Sequence, residues 1–282
     1  MAEWVKILKA SRSGYYAYME RRERRETEKG KKKAVIKKIF EDSGGTYGPG
    51  RICGELRKRG EKASYERISK YMAEMGLSSI HNRNKSRSLT DSRKARGDGY
   101  PNLVYGQTFD KPYQAVCSDI TYLKSGEGWL YLCKVKDIVS GEILGESYSE
   151  NMKKEIVIKA FLNAQARHNL PEGTIFHADR GSQYTSKAVK EVLELYGIKQ
   201  SFSRVGMPGD NAWAESFFAT LKKECIHFRH FATREELKRT VFAWIHSFYN
   251  TKRIQKRLGY LSPREYAAAL LTIDEKSILK AA

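Results

Sequence analysis

The residues best placed to do chemistry are three carboxylates. Asp119 stands in the middle of "AVCSDITYL", a run rich in β-branched and aromatic residues, where an unpaired charge is costly to bury. Asp179 closes "TIFHAD" and is followed at once by Arg180 and Gly181. Glu215 lies one turn into "NAWAESFFATLKKE", which has the period of a helix. It comes 36 positions after Asp179, and Lys222 follows it by seven. A lone Asp at a strand end is ordinarily a turn former or a helix cap. Carboxylates fixed on strands and helices are also the ligands a hard cation such as Mg²⁺ takes. The residues alone leave that choice open for Asp179. Other candidates are weaker. Asp210, with Asn211, ends the loop "RVGMPGD" and reads as the cap of the next helix. "CIHFRH" supplies Cys225, His227 and His230 without a CxxC partner, which speaks against zinc.

Acids of this kind need rigid supports, and the chain supplies them from residue 112 onward. "YQAVCSDITYLK" and "GWLYLCKVKDIV", separated by "SGEG", predict a hairpin, and "GEILGESYS" a third strand. "KKEIVIKAFLNAQARH" predicts a helix with Ile156, Val157, Ala160, Phe161 and Ala164 on one face. The strand of Asp179, a helix "SKAVKEVLELYG", a short strand "IKQSFS" and the helix of Glu215 follow. That order predicts an α/β layer around a mixed sheet. A further helix, "TREELKRTVFAWIHSFYN", has Leu237, Val241, Trp244, Ile245 and Phe248 as its buried stripe. There are no internal repeats.

The N-terminal third has a different texture. Residues 12–40 are polar, charged and helix-compatible, with Gly30 as the expected break. After "YGPG", Ile52 and Leu56 lie on a short helix that Gly60 closes. A second helix begins near Ser64 and carries Ile68, Tyr71, Met72 and Met75 before Gly76. Two short basic helices around a glycine turn have the outline of a helix-turn-helix, though a plain helical hairpin has the same period. Residues 81–111 are basic and turn-rich, as a linker would be.

Composition narrows the partner. The 282 residues carry 52 Lys and Arg against 33 Asp and Glu, a formal charge of +19. The first 100 residues hold 26 basic and 13 acidic side chains, so +13 of that excess sits in the N-terminal third. A segment this basic favours a polyanion such as nucleic acid. No apolar run approaches the roughly 18 residues a membrane span needs. The N-terminus lacks an apolar targeting stretch, and the four cysteines are scattered, so a reducing cytoplasmic setting is expected.

Asp119, Asp179 and Glu215, with 35 residues between the last two and Lys222 beyond, resemble the DDE triad of the retroviral-integrase superfamily. "SDITYL", "HADRGSQYTS", "GDNAWAESFFATLKKE" and "YNTKRIQKRLGYLSPREY" resemble the second-frame product of insertion-sequence transposases of the IS-three family. "SRSGYYAY" and "YGPGRICGELRKRG" match its N-terminal part, so the likeness covers nearly the whole chain. Cys117 and Ala178 depart from the family's Thr or Ser, and Gln255 from a common His.

The resemblance implies a ribonuclease-H-like mixed five-stranded sheet flanked by helices, preceded by a small all-α helix-turn-helix region. The expected divisions are a basic helical region 1–80 (its helix-turn-helix about 46–78), a linker 81–111, the catalytic core 112–225, and a helical extension with a basic tail 226–282. It implies metal-dependent DNA cleavage and strand transfer, with Asp119, Asp179 and Glu215 holding two Mg²⁺ ions, or Mn²⁺ in their place. On that reading Asp179 is a metal ligand rather than a cap, and Gly181 turns the chain away to leave it open. Lys222 would contact terminal DNA. Arg180, Arg51, Arg57, Arg67, Lys252, Arg253 and Arg257 are the other candidate DNA contacts, with Lys256 beside the last of them. The implied partners are double-stranded DNA at element ends and target, further copies of the chain, and an upstream-frame product that this chain is expected to lack. Two rivals share these features: a ribonuclease-H-like nuclease that does not join strands, and a non-catalytic DNA-binding protein from a decayed element.

Overall fold

The computed structural model describes residues 11–82, 101–204 and 212–281. Two compact units follow one another along the chain, Met1–Asn84 and Lys85–Ala282. Among the described residues no helix is long and apolar enough to cross a membrane.

The first unit is helical. Helix α1, Arg12–Asp42, starts at Ser11, whose side chain accepts from the Gly14 amide, and buries only Ile36 and Ile39. It runs through Gly30 without the expected break. A glycine inside a helix costs about 1 kcal/mol. Here the Lys29 and Lys33 ammonium groups on either side both bind Glu74, at 3.0 and 2.7 Å, which fixes the helix across that point. Those two lysines hold the Glu74 carboxyl down to about 2. Helix α2, Pro49–Lys58, has Pro in its first turn and buries Ile52, Cys53 and Leu56. Gly60, at φ +79°, closes it as expected. Helix α3, Tyr65–Glu74, is capped by Ser64 and buries Ile68 and Met72, with Gly76 at φ +66° after it.

The second unit is built on five strands: β1, Ala115–Ser125; β2, Gly128–Asp137; β3, Ile143–Ser149; β4, Ile175–Ala178; and β5, Lys199–Phe202. Their order is β3-β2-β1-β4-β5. The β1–β2 and β2–β3 pairs are antiparallel, whereas β1–β4 and β4–β5 are parallel, so the sheet is mixed as expected. Helices α4, Lys154–His168, and α5, Lys187–Leu195, cover one face. Val116, Val135 and Phe176 from the strands meet Val157, Phe161, Val189 and Leu193 there. The other face carries α6, Ala212–Leu221, and α7, Arg234–Trp244. Leu123, Leu130 and Leu132 meet Phe217, Phe218, Leu221, Leu237 and Val241 on that side. Each such buried side chain contributes about 1.5–3 kcal/mol.

Two details depart from the expected layout. The packed unit takes in part of the expected linker: Val104 is buried against Ala115, Cys117 and Ile138, and Leu103 donates its amide to Ser201. Helices α6 and α7 also each widen into a π turn, Lys222–Ile226 and Ile245–Tyr249. The second rotates the chain, so Tyr249 takes the buried place expected of Phe248, which is only half-buried. Helix α8, Pro263–Ala281, ends the chain's regular structure.

Behind α6 lies a buried ion pair. Arg253 donates to both oxygens of Glu224 at 2.8 and 2.7 Å, with the two side chains 6% and 0% exposed. Replacing Glu224 by Gln strips the charge partner from a buried guanidinium and is expected to cost about 3 kcal/mol, read as a fall in Tm. A second site tests the sheet-to-helix packing. A Cβ on Gly145 would overlap the backbone of Ala160 and Ala164 in α4. Gly145→Ala is expected to lower Tm by roughly 5–10 °C through overpacking. An unchanged Tm in either variant contradicts the packing described.

Candidate active site

Parallel pairing sets the first two acids side by side. Val116 pairs with Phe176 and Cys117 with His177. The same offset, carried two residues further, puts Asp119 level with Asp179. Strand β4 ends at Ala178, so β1 runs on past the acids with that edge unpaired by β4. Asp119 is half-buried, and its Oδ1 accepts from the Ile120 amide at 2.8 Å. Asp179 is exposed, and its Oδ1 accepts from the Gly181 amide at 3.0 Å. Asp179 therefore does form the local turn, and the turn fixes its carboxylate. Gly181 works by being small rather than through a left-handed backbone. A Cβ there would come within 3.0 Å of the Asp179 carboxylate and 3.1 Å of the Gln183 amide oxygen.

Three buried side chains on or beside β1, β2 and β4 lie outside the candidates drawn from the sequence. The Tyr184 ring is buried with its hydroxyl 3.0 Å from Ser118 Oγ. Its phenol is pushed well above its ordinary pKa by burial first, then by Cys133 and by the charges of both Asp119 and Asp179. One hydroxyl thus feels both aspartates. His177 is fully buried, with its ring nitrogens 2.9 and 3.2 Å from the hydroxyls of Ser201 and Ser203. Lys134, paired across the strands with Asp119, is fully buried and lies 3.5 Å from the Cys117 carbonyl. Burial pushes its ammonium pKa down, against the pull of Cys117 and Asp119. The sequence signal for Lys134 is a lysine at an inward position of an apolar strand.

Glu215 lies near the start of α6, whose Phe217, Phe218 and Leu221 pack on the sheet. Its side chain lies outside the described residues, as do Asp210 and Asn211. Lys222 opens the π turn beyond α6. Its Nζ is 5.1 Å from the Tyr122 ring centroid, and its pKa is lowered by burial against the opposing charge of Asp119. Lys222 thus lies within the field of the first acid. Tyr122 and Trp129 stand edge to face at 5.1 Å beside it, 58% and 47% exposed.

The remaining cationic candidates divide. Arg180 donates Nε to the Ser203 carbonyl at 2.9 Å, which ties the Asp179 turn to the end of β5. Arg51, Arg57 and Arg67 belong to the first unit. Arg51 donates to the Thr46 carbonyl and Arg57 to that of Ala63, while Arg67 is exposed. Lys252 and Lys256 are exposed. Arg253 is corrected from a DNA contact to a structural residue, because it is buried on Glu224. The Arg257 guanidinium binds the Val139 and Ser140 carbonyls at 3.2 and 3.3 Å, so it braces the β2–β3 turn. The zinc alternative finds no support: Cys225 is buried, whereas His227 and His230 are exposed. Among the described residues no three His, Cys, Asp or Glu side chains form a metal-holding group. Two neighbouring carboxylates are hard oxygen donors whose like charges a divalent cation would relieve, so the donor set fits Mg²⁺ or Mn²⁺.

An Integrase core domain family matches residues 110–208, a second Integrase core domain family residues 215–271, and an HTH-like domain family residues 26–85. The transposase for insertion sequence element IS904 of Lactococcus lactis is 38% identical over 82% of this chain and 91% of its own length. Transposase InsF for insertion sequence IS3A of Escherichia coli is 35% identical over 93% of this chain and 91% of its own. Among solved structures, the simian T-cell lymphotropic virus intasome in complex with PP2A regulatory subunit B56 gamma aligns at a TM-score of 0.46 and 15% identity. It covers 78% of this chain and 70% of that one, a likeness too loose to carry weight. With relatives this similar over this much of its length, the chain belongs to the IS3 family of insertion-sequence transposases.

Proposed function

We propose that this chain is the catalytic subunit of a bacterial insertion sequence, cleaving DNA at the element's ends and joining the freed ends to new DNA in the cytoplasm. The observation that carries this is the level placement of Asp119 and Asp179 by the parallel pairing of β1 with β4. Asp119, Asp179 and Glu215 are the residues that would hold two divalent ions, Mg²⁺ or in its place Mn²⁺. Bound there, such ions supply Lewis-acid activation of the attacking and leaving oxygens of a phosphodiester.

The chain's own groups do the rest. Backbone amides of Ile120 and Gly181 fix one oxygen of each aspartate, so neither carboxylate swings when substrate arrives. Arg180 holds the Asp179 turn against β5. Lys222 offers its ammonium to a backbone phosphate near the reacting bond. Water first breaks a P–O3′ bond, leaving a 3′-hydroxyl. That hydroxyl then loses its proton and attacks the phosphorus of a second phosphodiester, a new P–O bond forming as the attacked linkage's own 3′-oxygen leaves as a free 3′-hydroxyl, with no covalent enzyme intermediate. Residues 1–80 and 226–282 serve as the flanking helical regions of a core at 112–225, and the helix-turn-helix segment binds the element's ends. Copies of the chain pair two ends, with or without an upstream-frame partner.

Asp119→Asn and Glu215→Gln are expected to lower cleavage and joining of oligonucleotide ends by on the order of 10³-fold or more while leaving Tm within a few degrees of wild type. Full activity in either variant contradicts the proposal, and hydrolysis of RNA–DNA hybrids without joining favours the nuclease reading. Chelation should abolish turnover, with recovery on adding Mg²⁺ or Mn²⁺. Wild-type protein should also show a metal-dependent rise in Tm that Asp119→Asn loses. A metal response unchanged in that variant places the ions elsewhere.

A further inference from the structure

The first half of α1 has no packed face. No residue from Arg12 to Glu28 is buried, and Tyr16, Tyr18 and Met19 are 64%, 55% and 39% exposed. A helix without a packed stripe is marginal in water, so a segment of this kind is stabilised by its charges or by a partner. Most of its basic side chains gather on one side, with Arg12, Arg24 and Lys31 off it and Glu26 and Glu28 at its edges. At about 100° per residue, Tyr18, Arg21, Arg22, Arg25, Lys29 and Lys32 fall within one arc of about 100° and include no acid. Glu20 and Glu23 lie on the opposite side. Tyr18, Arg21, Arg22 and Arg25, with Glu26 at their margin, line a single shallow concavity.

The direction of that arc is fixed by the lower half of the same helix. Ile36 and Ile39 occupy the same arc and are the residues α1 buries in the first unit. Lys29 binds Glu74 at the end of α3 and lies over the Tyr71 ring at 5.9 Å. The basic stripe is thus the continuation of the bundle-facing side, running past the end of α3 from Lys29 back to Tyr18 for about 16 Å, or about five base pairs of duplex. Arg67 and Lys70 are exposed on α3 in the same unit. Residues 12–25 also lie outside the matched HTH-like domain, which begins at 26.

We infer that the Tyr18–Lys32 stripe of α1 is a second duplex-DNA contact of the first unit, binding backbone phosphates beside a DNA held by the α2–α3 pair. Arginines at 21, 22 and 25 suit phosphate, since each guanidinium offers two parallel donors. The absence of an apolar stripe argues against a coiled-coil partner. This inference rests on the proposal that the chain acts on DNA.

The test uses the full chain with Arg21, Arg22 and Arg25 all changed to Ala, a substitution that keeps helix propensity. Binding to an element-end duplex and to an unrelated duplex is followed by fluorescence anisotropy across a salt series. The expected result is about 10-fold weaker binding to both duplexes near 0.1 M salt, with the log–log salt slope shallower by about 2–3. Replacing all three by Lys should restore most of the slope, and Glu20→Gln with Glu23→Gln should not weaken binding. An unchanged affinity and slope in the Ala variant, with wild type binding normally, overturns this inference alone. A wild-type chain that binds no duplex overturns the DNA-acting proposal as well. A loss of self-association on sedimentation, with the salt slope unchanged, assigns the stripe to a second copy and also overturns the inference.

Discussion

Two negative groups held side by side are the constraint around which the second unit is arranged. The parallel pairing of β1 with β4 sets Asp119 on its strand and Asp179, just past the end of β4, at one height. Like charges so placed repel. Each aspartate is tied by a backbone amide, and the buried rings of Tyr184 and His177 are hydrogen-bonded to hydroxyls of β1 and β5 and to Ser203. The arrangement resists its own repulsion by packing. A divalent cation is the natural complement.

The helices on the α6 side serve the same end. Phe217, Phe218 and Leu221 press α6 onto the strand that carries Asp119. The π turn at Lys222–Ile226 then lets the chain carry Lys222 toward that acid while Glu224 turns inward to Arg253. Inserted π turns recur at functional sites because the extra residue re-aims side chains on an otherwise regular helix. The C-terminal residues thus brace the unit, Arg253 on Glu224 and Arg257 on the β2–β3 turn, rather than forming a loose basic tail.

Much of this was legible in the sequence because period and chemistry coincided. The strands of Asp119 and Asp179 announce themselves through β-branched residues, and Ser64, Gly60 and Gly76 mark the ends of α2 and α3 through caps and left-handed turns. What was not legible depends on distant partners. Gly30 ends no helix, because Glu74 holds the lysines on either side of it. Phe248 gives its place to Tyr249 because a π turn has no composition of its own. Arg253 reads as a phosphate contact until Glu224, 29 positions away, is found against it. The expected linker begins to pack at Val104, whose partners lie on β1 and beyond β2.

The central claim is that Asp119 and Asp179, with Glu215, form one divalent-metal site. Anomalous diffraction from crystals grown with Mn²⁺ tests it directly. The account predicts a manganese peak with carboxylate oxygens of both Asp119 and Asp179 within about 2.2 Å, and Glu215 completing the set when a DNA end is bound. Manganese bound only at other residues, with both aspartates uncoordinated at saturating metal, would contradict it.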